Sequence, residues 1–499
     1  MKGISALAML AALAAVPAGA ETVKLTLLGV GDVYNFEEED GRGGFARLNA
    51  VAKAERAANP NTLYLFNGDM LSPSLASGFD LGQNTIDFTN LVPFDLAVPG
   101  NHEFDFGPEN FFEKMKASTY PWAAINLTNG DGSAIEGLGG VMIKEVAGLK
   151  VALIPVAQDT SPEVSSTGSL KFEPTVDMGI AAAKAARDEG ADIVVGVVQT
   201  NMENDRALMA SHAFDVILSG DDHTYATAYD GVTAYVETSV DGQLLTPVDL
   251  TVEVTVKDDG SREISWTPAF RFIDTATVTP DPETVAMADA LRAKMDQTLD
   301  VEIGTLEAPL DSRRNVVRAE ESTMGNLIAD AMRAATGADI AIMNGGGIRG
   351  DTTYDAGRKL TRRDILTELP FGNVTVVTEL PGSQVLLALE NGVSQVEKGA
   401  GRFAQVSGLS YAFDASAEPG ARVSEVMVGG AALEADKLYK VAVNDYILGG
   451  GDGYASLGGG RLVTDGPTGS LVANDVMAYV EKLGSVKMAV EGRIKKIGG

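Results

Sequence analysis

Cysteine is absent from the sequence. That removes disulfides, thiolate metal sites and a cysteine nucleophile together, so any metal must be held by oxygen and nitrogen. Histidine is scarce too, with only three in 499 residues. Long apolar runs are missing beyond the N-terminus: no later stretch approaches the ~18 consecutive apolar residues of a membrane helix, so no membrane contact is expected after processing. Positive charge is also short, with 39 Lys and Arg against 69 Asp and Glu and a formal net charge of −30. Such a chain lacks the basic surface that tracks nucleic-acid phosphates, and an anionic substrate would need local arginines to overcome a repulsive average field.

What is present fits an exported globular protein. Met1-Lys2, the apolar stretch Ile4 to Val16 and Pro17-Ala18-Gly19-Ala20 read as a signal peptide over 1–20, cleaved after Ala20, which implies a periplasmic location. At this length, with 45% hydrophobic and 22% charged residues, two domains are expected.

From Val23 to about Tyr235, apolar strand-like runs alternate with helical patterns, the mark of an α/β layered domain. Strands are predicted at Val23–Val30, Thr62–Phe66, Leu96–Val98, Ala123–Ile125, Val151–Pro155, Ile193–Val198, Val216–Leu218 and Thr233–Thr238, and helices from Phe45 and from Met178. Polar residues recur just after strand ends: Asp32, Asp69, Asn101 with His102, Asn201, and Asp221-Asp222-His223. In open α/β folds ligands bind beyond the carboxyl ends of the strands, so these five loops can converge on one site. Asp105 lies close enough in sequence to orient the His102 imidazole, which can donate a proton to a phosphoryl oxygen; Asn101 offers a carbonyl oxygen to a metal. His212, in a helix-like stretch, reads as a surface residue.

The boundaries expected are 21–275 for the first domain, 276–300 for a joining helix and 301–499 for the second domain. In the second, a buried strand at Ile340–Met343 feeds Asn344-Gly-Gly-Gly-Ile-Arg349, where glycines let a backbone approach a ligand and Arg349 adds a fixed charge. Leu369-Pro-Phe-Gly-Asn373 and Asn444 to Tyr454 place aromatic residues in Gly-rich loops, an arrangement suited to stacking on a planar ring.

Taken together, Gly100-Asn-His-Glu-Phe-Asp105, Met324-Gly-Asn-Leu, Asn344 to Arg349, Pro370-Phe-Gly and Gly450-Gly-Asp-Gly453 resemble the secreted 5′-nucleotidase family. Gly43-Gly-Phe-Ala-Arg47 and Gly68-Asp69 are supporting matches. The resemblance implies a four-layer αββα metallophosphoesterase domain followed by a smaller α/β nucleotide-recognition domain, and hydrolysis of nucleotide phosphoesters, most simply nucleoside 5′-monophosphates, by a monomer. Nucleotide sugars and 2′,3′-cyclic nucleotides are alternative substrates. It further implies two divalent cations, bridged by Asp69 and otherwise held by Asp32, His223 and Asn101, with His102 and Asp105 as the catalytic pair. Arg318, Asn344 and Arg349 would take the phosphate and ribose side, Phe371 and Tyr446 the base, and Asp452 a ribose hydroxyl.

Three family histidines are replaced, by Tyr34, Asn201 and Asp221. Asn201 and Asp221 are oxygen donors, and an oxygen-rich site with one imidazole favours Mn²⁺, Mg²⁺ or Ca²⁺ over Zn²⁺. Two readings follow: a hydrolase with altered metal preference, or a nucleotide-binding protein that has lost one or both ions.

Overall fold

The computed structural model describes residues 20–257, 259, 261–464 and 470–498. The expected leader lies outside them except for Ala20, which opens the first strand, Ala20–Val30. The first domain is built on two sheets. One runs Arg262–Phe270, Val248–Val256, Ala20–Val30, Thr62–Phe66, Leu96–Ala97; the other runs Ala226–Tyr229, Ala234–Glu237, Val216–Gly220, Ile193–Gln199, Leu149–Val156, Met142–Val146. Leu25, Leu27 and Leu65 from the first share a core with Leu153, Val195, Val197 and Leu218 from the second. Helices cover both outer faces. Gly44–Ala58, Gln83–Asn90 and Gly107–Ala117 pack Phe45, Phe88 and Phe111 on one side. On the other, Thr175–Asp188 and Met202–Ala210 pack Ala183 and Leu208. These are the four layers expected. Central strands have helix on one face and sheet on the other, which is why Ile193–Gln199 is buried along its whole length and reads as an unbroken apolar run.

Register brings the loops to one edge. Val30 pairs with Phe66, Phe66 with Ala97, and Gln199 with Gly220, so the parallel strands of each sheet end level. The loops beginning at 31, 67, 98, 200 and 221 therefore leave the sandwich side by side.

Most predicted strands lie within a few residues of their expected bounds, but Ala123–Ile125 is not a strand. Ala123 N donates to Ala97 O at 2.9 Å and Ile125 N to Pro155 O at 3.0 Å, so this segment crosses from one sheet to the other. The expected joining helix is Pro282–Leu299, capped by Asp281, whose side chain accepts the Thr284 N–H at 3.0 Å. Its Ala288, Met295 and Leu299 belong to the first domain's core, so it is an outer-layer helix and not a free connector. Arg363 of the second domain grips its end through Asp296 and Asp300 at 2.6 and 2.7 Å.

In the second domain the central sheet runs Ala404–Ser407, Ile340–Asn344, Leu438–Asn444, Thr375–Pro381, Arg461–Thr464. Thr323–Thr336 and Val472–Leu483 cover one face, Gly382–Val393 the other. Two parallel strands end in asparagines that touch, Asn444 Nδ2 donating to Asn344 Oδ1 at 2.8 Å. Among the described residues no helix is long and apolar enough to cross a membrane.

Candidate active site

The loop after Leu96–Ala97 carries His102 and Asp105, the expected catalytic pair. His102 Nδ1 lies 2.6 Å from Asp105 Oδ2, and Asp105 Oδ1 accepts the Ser165 hydroxyl at 2.8 Å. With Nδ1 committed to the carboxylate, Nε2 is the ring nitrogen left for chemistry. Between them stands Glu103, which has no exposure. Its two oxygens accept the backbone N–H groups of Asp69, Met70, Leu71 and Gly100 at 2.6–3.2 Å. That carboxylate welds the Asp69 loop to the His102 loop. Sequence reading passed over it as part of a tripeptide.

Asp32 and Asp69 are buried to 0% and 1% exposure at the mouth of the first sheet. Asp32, Asp69, Asp221 and His223 all have positive φ, at 56°, 68°, 110° and 55°. Left-handed backbone at non-glycine residues stores strain, and it is held here because the surrounding bonds over-determine it. Asp32 N donates to Gly68 O and Val33 N to Asp69 O at 2.9 and 2.8 Å, pinning the two loops together.

Among the described residues no Lys or Arg pairs with these acids, and the one imidazole beside them, His223, has its Nε2 3.7 Å from Asp32 Oδ1. Burial, reinforced by neighbouring acids, pushes the Asp32 and Asp69 carboxyls well above the usual range. Burial first and Asp222 second raise Asp221 to about 6. Each proton is then easily retained unless a cation enters. Tyr34 fills part of the space, its hydroxyl 3.3 Å from Asp32 Oδ1 and 3.0 Å from His223 Nε2. Burial and the nearby acids raise its phenol, which stays protonated and donates. His223 is lowered, chiefly by burial, and is held neutral, the form that binds metals.

Asn201 does not join this group. Its Oδ1 accepts Glu203 N and Asn204 N, both at 3.1 Å, and caps the helix Met202–Ala210. Capping satisfies orphan helix N–H groups and wins over a more distant ligand role. The amide that does reach the cluster is Gln199, at the end of its strand, with Nε2 donating to Asp69 Oδ2 at 2.8 Å. Gln158 Nε2 donates to Asp221 Oδ2 at 3.1 Å. Neither glutamine stood out in sequence, because both sit at the tail of apolar strands. His212 lies at the surface, 3.0 Å from Asp230.

Facing the pair across the domain boundary is a cavity of about 240 Å³. Asn101, His102 and Asp105 line it from one domain; Arg318, Asn344, Arg349, Phe371, Tyr446 and Asp452 line it from the other. The six residues expected to contact substrate thus line one cavity with His102 and Asp105. Asn344 Nδ2 donates to Asp452 Oδ2 at 2.7 Å, which leaves the other carboxylate oxygen for a ligand. The Phe371 ring lies 6.5 Å from that of His102 at an 11° interplanar angle, with the Arg349 guanidinium 5.3 Å above it. Among the described residues neither Arg318 nor Arg349 has a carboxylate partner. Burial lowers both guanidiniums, Arg318 to about 10. Two neighbouring cations without a carboxylate partner repel one another and favour an anion between them.

Two family models cover most of the chain. Residues 25–225 match the calcineurin-like phosphoesterase model and residues 302–459 match the 5′-nucleotidase C-terminal domain. The chain belongs to the 5′-nucleotidase family. Similar proteins include the trifunctional nucleotide phosphoesterase of Bacillus subtilis, 28% identical over 95% of this chain, although this chain spans only 35% of that protein's length. The 5′-nucleotidase of Homo sapiens is 26% identical, covering 95% of this chain and 91% of the relative. Among solved structures, the 5′-nucleotidase precursor of Thermus thermophilus is 28% identical, superimposes with a TM-score of 0.72, and covers 95% of this chain and 99% of that one.

Calcineurin-like phosphoesterases use a dinuclear divalent metal site, and this 5′-nucleotidase-family chain has the donor chemistry for divalent cations. Asp32 and Asp69 are buried acceptors and Asp221 a half-buried one, none with a Lys or Arg partner among the described residues, and Asn101 Oδ1 is buried without a donor. The acids and imidazole do not complete a cage by themselves: among the described residues no three His, Cys, Asp or Glu close around one point.

Proposed function

We propose that this protein hydrolyses nucleotide phosphoesters, nucleoside 5′-monophosphates foremost, as a monomer exported to the periplasm. The observation that carries the reading is the cavity itself, where two unpaired arginines and two aromatic rings on one wall face the His102–Asp105 pair on the other. Arg318 and Arg349 hold the anionic end of the nucleotide by charge-assisted hydrogen bonds. Phe371 and Tyr446 flank the base, and Asp452 accepts a ribose hydroxyl. His102 Nε2 donates to an equatorial phosphoryl oxygen while water attacks phosphorus in line with the departing 5′ oxygen. Asp105 keeps the ring turned and stabilises its charged form.

Asp32, Asp69, Asn101, Asp221 and His223 would hold the divalent cations. Such ions polarise a phosphoryl group and make water a better nucleophile. Oxygen donors outnumber the single imidazole, which favours Mn²⁺ or Mg²⁺, with Ca²⁺ next, over Zn²⁺.

Chromatographic analysis of the products from AMP, UDP-glucose and 2′,3′-cyclic AMP, each with Mn²⁺, Mg²⁺, Ca²⁺ or Zn²⁺, tests this. AMP with Mn²⁺ or Mg²⁺ should be the fastest pairing. No hydrolysis product from any substrate with any ion would refute hydrolysis. A binding protein without turnover is the second reading. It is favoured by the Gln199 and Tyr34 donors, which lie against Asp69 and Asp32 in the cation's place.

A further inference from the structure

Gln199 and Gln158 occupy the gap left by the missing imidazoles, and both are hydrogen-bonded in only half of their capacity. Gln199 is fully buried. Its Nε2 meets Asp69, while its Oε1 has no donor. Gln158, at 7% exposure, repeats the pattern: Nε2 meets Asp221 and Oε1 is stranded. Stranded oxygens on two independent amides beside the same acids call for one explanation.

A primary amide has a donor end and an acceptor end of nearly the same shape, exchanged by a half-turn of its terminal torsion. Between carboxylates and without a cation, the N–H end must face the acids and the oxygen is left unpaired. Positive charge among the acids inverts that preference, and the oxygen becomes the end that belongs inside. Packing leaves room for this exchange and little else. A Cβ on Gly68 would come within 2.7 Å of Gln199 Oε1, and one on Gly220 within 2.8 Å, so the side chain is held in place by bare backbone on both sides. The main-chain oxygen of Asn67 lies 3.1 Å from the same Gly220 position, so an acceptor borders the space that the amide faces. Asp32 Oδ2 also lies 2.8 Å from that position, which puts Gln199 between Asp32 and Asp69.

We infer that Gln199 and Gln158 supply amide oxygens to the divalent-cation site in place of the histidines replaced at 201 and 221. Gln199 serves the Asp32–Asp69 side and Gln158 the Asp221 side. The inference rests on the reading that this cleft binds divalent cations, and it assigns a ligand role to residues outside the family's motifs. It also accounts for Asn201: with Gln199 at the strand end, the next side chain but one is released to cap its helix.

The test is equilibrium binding of MnCl₂ to the chelator-stripped full chain, read from the loss of the free Mn²⁺ paramagnetic signal. Gln199→Met keeps length and removes the amide, and should weaken Mn²⁺ binding about 10- to 100-fold. Gln158→Met should weaken it by a smaller factor. Unchanged or tighter binding by Gln199→Met overturns the inference, because the amide is then a donor that the ion displaces. If that variant does not fold, Mn²⁺-soaked crystals of the unaltered protein decide the matter. Gln199 Oε1 within about 2.0–2.6 Å of the ion supports the role; Nε2 still donating to Asp69 with the ion bound elsewhere overturns it. Unaltered protein that binds no Mn²⁺ overturns the parent reading and this inference with it, and is distinct from a variant that binds as well as the original.

Discussion

The two walls of the cleft have been treated differently. On the second domain every residue expected to touch a nucleotide reaches the cavity: Arg318, Asn344, Arg349, Phe371, Tyr446 and Asp452. On the first domain His102 and Asp105 are paired as expected, yet three expected imidazoles are replaced and Gln199, Gln158 and the Tyr34 hydroxyl lie against Asp69, Asp221 and Asp32. Recognition of a planar base and an anion depends on shape and charge, which tolerate Tyr for Phe. Ion coordination depends on which atom faces inward, so a change of residue type there changes which ion fits. On the proposed function, the difference assigns choice of substrate class to one wall and choice of ion to the other.

Substitutions can separate the walls, starting with the largest effect. His102→Ala should lower kcat about 10²- to 10⁴-fold with little change in KM. A large loss of AMP affinity with a modest rate effect would move His102 to the binding wall. Arg349→Ala should raise KM about 10- to 100-fold and leave kcat closer to unaltered, since it removes a charged contact made in the ground state. Steady-state kinetics on AMP check both.

The pH dependence of stability probes what lies behind the metal wall. The Tyr235 hydroxyl lies 2.8 Å from Glu237 Oε2 and 3.0 Å from Asp205 Oδ2, within hydrogen-bond reach of both, and Glu237 accepts Asp222 N at 3.3 Å next to the candidate ligands. Burial, then Asp205, raises the Glu237 carboxyl to about 9. The folded form therefore keeps a proton that the unfolded chain releases. Between the ordinary glutamate range and about pH 9, stability should fall as pH rises. Glu237→Gln should flatten that slope in Tm measured from pH 5 to 9; an unchanged slope would mean that Glu237 is not its source.

Smaller effects sharpen the comparison further. Asn201→Ala should cost ~1 kcal/mol of folding stability by denaturant titration, as a lost helix cap, and leave Mn²⁺ affinity unchanged. A weakened Mn²⁺ affinity would restore Asn201 to the ligand set. Tyr446→Phe removes a hydroxyl that accepts Asp452 N at 3.1 Å and donates to Glu163 O at 3.3 Å, while the ring face stays. KM for AMP should move by only a few fold.

Much of this architecture could be read in advance, for reasons of period and position. Strands such as Ile193–Gln199 are buried on both faces and read as unbroken apolar runs. Polar residues directly after them, Asp32, Asp69, Asn101 and His102, had to lie at one sheet edge once the registers were level. What was illegible depended on competition between partners. Asn201 follows the strand as a ligand would, but the nearest unpaired N–H groups belong to its own helix. Gln199 belongs to the strand itself, where alternation and burial hide its amide among valines. Glu103 looked like a spacer because its four donors are backbone groups, which no residue pattern announces.

Phosphate release from AMP by chelator-stripped protein, followed as Mn²⁺ is restored and set beside AMP binding by calorimetry, bears most directly on the central claim. Negligible release without the ion, rising to a plateau as Mn²⁺ is added, is the predicted result. AMP bound tightly at every Mn²⁺ concentration, with no phosphate set free, would contradict it and leave a nucleotide holder in place of a hydrolase.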